Sequence, residues 1–227
     1  MISSQILSSG DQQQSISMKS SNTAEEFFFQ SHPFSDLILL VQDKQLYVDK
    51  SVLAIGSKVF HKYIQDETIN SIEIIDVSPN EMIELLRFLY PQFHCTINNQ
   101  NVTILLILAY RFEIDFLSSA CRTFILFYLS KIEIINMYKN SNKKLIKQED
   151  GTCLSISSII DILCIWFREF LYINDTICCE AILNKISYCN ISSIIQSNDF
   201  KNLEDNIKWR IFQVRAKYLE NQYLSIV

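Results

Sequence analysis

An α+β fold, a small sheet capped by helices with an α-helical C-terminal extension, is what the 227-residue sequence predicts. Three observations carry the prediction. Short apolar runs near residues 37–48 and 71–77 have strand length. The next 50 residues place their apolar side chains at i, i+3, i+4 and i+7. After a polar stretch, the same helical spacing returns and persists almost to the end.

The elements follow in order. Residues 1–23 are Ser- and Gln-rich and too polar to offset chain entropy, so a disordered tail is expected. Phe27, Phe28 and Phe29 come next; three adjacent aromatics cannot share one helix face, so they must serve different surfaces. Leu37–Val41 is a continuous apolar run suited to a strand covered on both faces. Gln42-Asp43-Lys44 turns it back into a strand over residues 46–48. From Lys50 to Ile64 the period becomes helical, with Val52, Leu53, Val59, Phe60, Tyr63 and Ile64 apolar. Residues 71–77, with Ile72, Ile74 and Val77, form a third short strand. Ser78-Pro79-Asn80-Glu81 then opens a helix: Ser78 accepts from the backbone at Glu81, Glu81 reaches back, and Pro79 takes the first helical position. That helix carries Met82, Leu85, Leu86 and Leu89 and ends before Pro91. Two more amphipathic helices follow, one with Val102, Leu105, Leu106, Ala109 and Phe112, the other with Leu117, Ala120, Cys121, Phe124, Ile125 and Tyr128. Residues 131–155 read as a polar connection, a loop or frayed helix. Helical stripes resume with Ile159, Leu163, Trp166, Phe167 and Phe170, then Ile177, Ala181 and Ile182, then a last stretch over residues 191–214 with Leu203, Ile207, Ile211 and Val214. The divisions are therefore 1–23 (tail), 24–130 (mixed domain), 131–155 (connection) and 156–220 (helical extension).

Composition excludes several functions. A net charge of −5 and one diluted basic cluster (Lys139, Lys143, Lys144, Lys147) do not make a nucleic-acid surface. Three glycines, at positions 10, 56 and 151, cannot build a phosphate-cradling loop. The apolar runs are too short or too charged to cross a bilayer, so no membrane association is expected. Seven cysteines lack C-x-x-C spacing, so Cys164, Cys178, Cys179 and Cys189 read as buried thiols, with no metal and no cofactor. His32, His61 and His94 all lie far in sequence from that cysteine-rich region, leaving no hydrolase pair and no catalytic residue to name. With no secretory signal in residues 1–23, a cytoplasmic or nuclear location is expected.

One stretch is more specific. Ser35 and Asp36 precede the first strand, and Lys50, Leu53, Ala54, Ser57 and Phe60 form the pattern K-x-x-L-A-x-x-S-x-x-F. Phe88-Leu89-Tyr90-Pro91 and Ala109-Tyr110-Arg111-Phe112 follow at matching positions. The chain resembles a BTB/POZ domain protein, nearest to nematode-type members, without a recognisable MATH, kelch or zinc-finger module. The resemblance implies a BTB/POZ fold and a docking role without catalysis. It implies dimerisation with itself or another BTB protein, through Val52, Leu53, Ile55, Phe27 and Phe28, with Asp36 and Lys50 at the floor of a charged pocket or as a structural pair. It also implies a cullin-facing surface that includes Phe60, Tyr63, Ile64, Met82, Phe88 and Tyr90. The apolar-x-Glu motif of cullin-binding relatives is degenerate here, since Gln65 stands two before Glu67. Two functions remain open: an adaptor recruiting an unknown protein target to a cullin-RING ubiquitin ligase, or a dimerising scaffold with no ligase role.

Overall fold

The computed structural model describes residues 24–132, 146–147, 153–154 and 156–224. The sheet is built around β1 (Leu37–Val41), which pairs antiparallel with β2 (Lys44–Val48) and parallel with β3 (Ser71–Ile74), giving the order β2-β1-β3. Leu37, Leu39 and Val41 are buried, whereas Ile38 and Leu40 are half-buried, so the second face of the central strand is covered only in part. The turn from β1 to β2 holds Gln42 at φ 53, the left-handed region that non-glycine residues rarely adopt. The third strand stops at Ile74, and Val77 is buried beyond its end.

The expected helical stretch after β2 is two helices, α2 (Lys50–Gly56) and α3 (Lys58–Ile64). Ser57 divides them. Its backbone is extended, its N–H closes α2 on Leu53, and its Oγ accepts from Phe60 N at 3.1 Å to cap α3. The same hydroxyl donates to the Phe112 carbonyl, tying the break to the end of a distant helix. Helix α4 (Pro79–Leu89) starts with the anticipated capping box: Glu81 N donates to Ser78 Oγ at 3.3 Å and Ser78 N to Glu81 Oε2 at 2.8 Å. A short 3-10 turn (Pro91–Phe93) leads to α5 (Val102–Arg111) and α6 (Asp115–Lys131). The short α1 (Ala24–Phe29) packs against β2 and α4. There Phe28 is buried, Phe27 is half-buried and Phe29 is 37% exposed, so the three aromatics do face different surroundings.

Within the stretch expected to be loop or frayed helix, β4 (Ile146–Lys147) and β5 (Cys153–Leu154) pair antiparallel as a small ribbon. The tail expected over residues 1–23, and the polar run 133–145, lie outside the described residues. The extension comprises α7 (Ile156–Tyr172), α8 (Thr176–Ser187), α9 (Ile191–Gln196), α10 (Asn198–Asn202) and α11 (Asp205–Leu224). Its third stripe is therefore three helices. Ser197 makes one break, accepting from Phe200 N and donating to Asp161 of α7.

The extension is not a separate body. Trp166, Phe167 and Phe170 of α7 join the same hydrophobic core as Leu105, Leu106, Cys121 and Ile125 of α5 and α6. Trp166 Nε1 donates to Thr103 Oγ1 at 2.8 Å, and its ring meets Tyr128 edge-on at 5.5 Å. Arg122 of α6 grips Asp175, the N-cap of α8, through Nε–Oδ2 at 3.0 Å and Nη2–Oδ1 at 3.3 Å. Lys185 of α8 donates to the Ile132 carbonyl just past α6, and burial pushes its ammonium pKa down.

Candidate protein-docking surfaces

The sequence singles out Asp36 and Lys50, and the structure joins them through the main chain. Asp36 Oδ1 accepts from the Lys50 backbone N–H at 2.7 Å, at the first turn of α2. An acid there satisfies an orphan helix donor and meets the positive end of the helix dipole. The bond joins the start of β1 to the start of α2 without using the lysine ammonium. Asp36 is exposed and Lys50 half-buried, so the acid remains open to solvent.

Beside them lies a buried polar knot. Tyr90, 2% exposed, accepts from the Asp49 N–H at 2.7 Å through its hydroxyl oxygen. Burial pushes the Tyr90 phenol well above its ordinary pKa. His32 Nδ1 stands 3.9 Å from Asp49 Oδ1, and Phe27 stacks on the imidazole at 4.6 Å. Burial raises the Asp49 carboxyl pKa, opposed by the nearby His32 and reinforced by Asp36. The knot clamps α1 and its following loop onto the β2–α2 junction.

Five of the expected surface residues belong to the core. Leu53 and Phe28, expected at a dimer face, are 0% exposed, as are Phe60 and Met82, expected to face a cullin; Tyr90 is 2% exposed. The reasons are local. Phe60 stacks on Phe112 at 4.8 Å, Phe28 meets Tyr90 edge-on at 5.1 Å, and Met82 lies on the apolar stripe that α4 turns inward. Val52, Phe27, Ile64 and Phe88 are half-buried. Besides Asp36, two of the named residues stay exposed: Ile55 on α2, at 88%, and Tyr63 on α3, at 52%. Exposed apolar residues that spacing did not single out are Phe34 at 80% and Ile75 at 62%, together with Phe116 and Phe127 on α6. Phe34 immediately precedes the Ser-Asp pair, and that position is the signal that could have flagged it.

The cysteines are packed as apolar side chains. Cys121, Cys164, Cys178, Cys179 and Cys189 are buried and form no disulfide among the described residues, and burial pushes Cys121, Cys164 and Cys189 up to about 12. Among the described residues no helix is long and apolar enough to cross a membrane.

The sequence that builds this three-stranded mixed sheet, the capped helical pair and most of α4 to α6 matches the family model of the BTB/POZ domain over residues 26–128. Residues 26–128 are a BTB/POZ domain. No MATH, kelch or zinc-finger module is detected in the chain. Two Caenorhabditis elegans proteins are similar over a longer span. BTB and MATH domain-containing protein 36 is 30% identical over 157 residues, 67% of this chain and 48% of the relative. BTB and MATH domain-containing protein 38 is 28% identical over 138 residues, 59% of this chain and 35% of the relative. The chain thus spans half or less of the length of these relatives. Among solved structures, the BTB (Tramtrack and Bric a brac) domain of human Gigaxonin matches at 22% identity with a TM-score of 0.35, covering 40% of this chain and 77% of that one. A BTB/POZ domain is a protein-interaction domain, so protein–protein interaction is the function of residues 26–128.

Proposed function

We propose that this chain is a dimerising BTB/POZ adaptor that recruits a protein substrate to a cullin-RING ubiquitin ligase. The observation that carries the dimer is Ile55. It is 88% exposed on a short helix whose Leu53 is fully buried, so α2 is held rigidly while presenting a bare branched aliphatic side chain. Phe34, 80% exposed, and Asp36, hydrogen-bonded to the first turn of α2, supply an apolar and a charged element for a self-complementary face.

The cullin half of the reading rests on α3 and the loop after it. Tyr63 is half-exposed, and a tyrosine on a rigid helix is a good anchor for a partner pocket. The loop is preorganised, since Asp66 Oδ1 accepts from Thr68 N at 3.0 Å and from Thr68 Oγ1 at 2.6 Å. Ion pairs from Lys58 to Asp115 and from Lys62 to Glu113 hold α3 against the α5–α6 turn. One observation favours a second reading, a dimerising scaffold with no ligase role: Gln65 stands where cullin-binding relatives place an apolar residue.

Light scattering at a few micromolar, with calorimetry against the N-terminal domain of the BTB-specific cullin, tests both. The adaptor predicts two chains per particle, reduced to one by Ile55→Glu, and cullin binding weakened at least tenfold by Tyr63→Ala. A dimer without cullin affinity leaves the scaffold. A wild-type monomer refutes the dimer in either form.

A further inference from the structure

Helix α11 has two apolar faces, and among the described residues the fold covers one of them and only a single residue, Phe212, of the other. Ile211 is buried, and Ile207, Val214 and Tyr218 are half-buried, on the side turned to the domain. On that side Arg215 donates to the Ser187 carbonyl at the end of α8 and lies over the Tyr218 ring. A second stripe runs along the flank at positions 209, 212, 216, 219 and 223, spaced 3-4-3-4 over two heptads. Trp209 is 63% exposed, Tyr223 73% and Leu219 37%; Ala216 is exposed as well. Phe212 is half-buried, its ring held edge-on against Phe200 of α10 at 5.4 Å.

We propose that this stripe is a self-association site, pairing antiparallel with the same stripe of a second copy across a two-fold axis. The register is set by side-chain size. When Ala216 lies opposite Leu219 of the second copy, Phe212 falls opposite Tyr223, so small meets large and aromatic meets aromatic in the four central layers. In that register Gln213 flanks Glu220, and no like charges oppose one another. A parallel pairing would instead set Ala216 on Ala216 and leave a gap between the Phe212 and Leu219 layers. The area is also right for a second copy. The exposed parts of Trp209 and Tyr223 are about 150 Å² each, and with Leu219 and Ala216 each copy offers about 400–500 Å². The total of about 800–1,000 Å² lies at the lower edge of specific interfaces, so the pairing should be weak and its extent should depend on concentration.

The site does not depend on the BTB/POZ dimer proposed above. With both interfaces present, α11 would link two such dimers into a tetramer. The test is sedimentation equilibrium from about 1 to 300 μM on four proteins: wild type, Ile55→Glu, Trp209→Glu/Tyr223→Glu and the triple variant. Trp209 and Tyr223 are exposed, so the double variant retains the fold, checked by far-UV dichroism. The expected result is a concentration-dependent doubling of mass in the wild type and in Ile55→Glu, shifted at least tenfold higher in concentration by the α11 changes. If the BTB/POZ dimer fails to form, Ile55→Glu leaves the mass unchanged and the α11 changes still abolish the doubling. Oxidation of Ala216→Cys/Leu219→Cys should yield an interchain disulfide that Ala216→Cys alone does not. A mass that does not rise up to 300 μM, a doubling that survives Trp209→Glu/Tyr223→Glu, or a cross-link from Ala216→Cys alone overturns the proposal.

Discussion

Replacing Asp175 by alanine removes two restraints at the seam between the BTB/POZ domain and its helical extension. The carboxylate caps α8 by accepting from Cys178 N at 3.0 Å, and it receives both Nε and Nη2 of Arg122. Losing an N-cap costs about 1 kcal/mol. The ion pair is worth more than an exposed one because Asp175 is only 9% exposed, yet less than a fully buried one because Arg122 is 37% exposed and rehydrates once its partner is gone. About 1–2 kcal/mol is a reasonable share for it. Asp175→Ala should therefore destabilise by about 2–3 kcal/mol, or about 4–12 °C in melting temperature for a chain of this size. Asp175→Asn retains an acceptor for Cys178 N and should cost only the ion-pair share. Arg122→Ala leaves the capped carboxylate without its cation and should cost about as much as Asp175→Asn. Urea unfolding of the single and double variants measures this directly, and hydrogen exchange should show α8 losing protection before β1. A loss under 0.5 kcal/mol for Asp175→Ala, or strict additivity of Arg122→Ala and Asp175→Asn, would refute the claim that this contact holds the extension in place.

Two further predictions concern the core. Ser57→Ala should cost about 1–3 kcal/mol in denaturant unfolding, because it strips the cap from Phe60 N and leaves the Phe112 carbonyl without its donor at a site 1% exposed. An unchanged midpoint would show that the α2–α3 break is set by the backbone alone. Asp49→Asn should stabilise the protein at neutral pH. A carboxyl whose pKa is raised by folding adds stability only below its unfolded value near 3.8 and loses it as pH climbs through the folded value. The gain of the asparagine variant should thus be full above that window and shrink as pH falls toward 3.8, read from melting temperatures across pH 3–8. A gain that grows on acidification would contradict the burial argument.

How much of this was legible in the sequence depended on whether the determining contacts were local. The capping box at Ser78, the strand pair around Gln42 and the stripes of α4 to α8 are set within a few residues, and their spacing announced them. The break at Ser57 and the split of the last stripe at Ser197 were visible only as serines inside helical periods. Their hydroxyls find partners in the Phe112 carbonyl and the Asp161 carboxylate, 55 and 36 residues away. The docking residues suffered most from the same limit. Periodicity reports that Leu53, Ile55, Phe60, Tyr63 and Met82 are apolar on helices, but which stripe faces inward depends on what the remainder of the chain lays against it. Phe60 turned inward because Phe112 is there to stack on, and Tyr63, one turn along, was left outside. Ile55 shows the converse. It sits two residues after Leu53 in the same short helix, and that offset of about 200° sets it opposite the core residue. An apolar side chain on the far side of a helix anchored this firmly packs against little of the described chain, and that is the physical reason to look for its role in a partner.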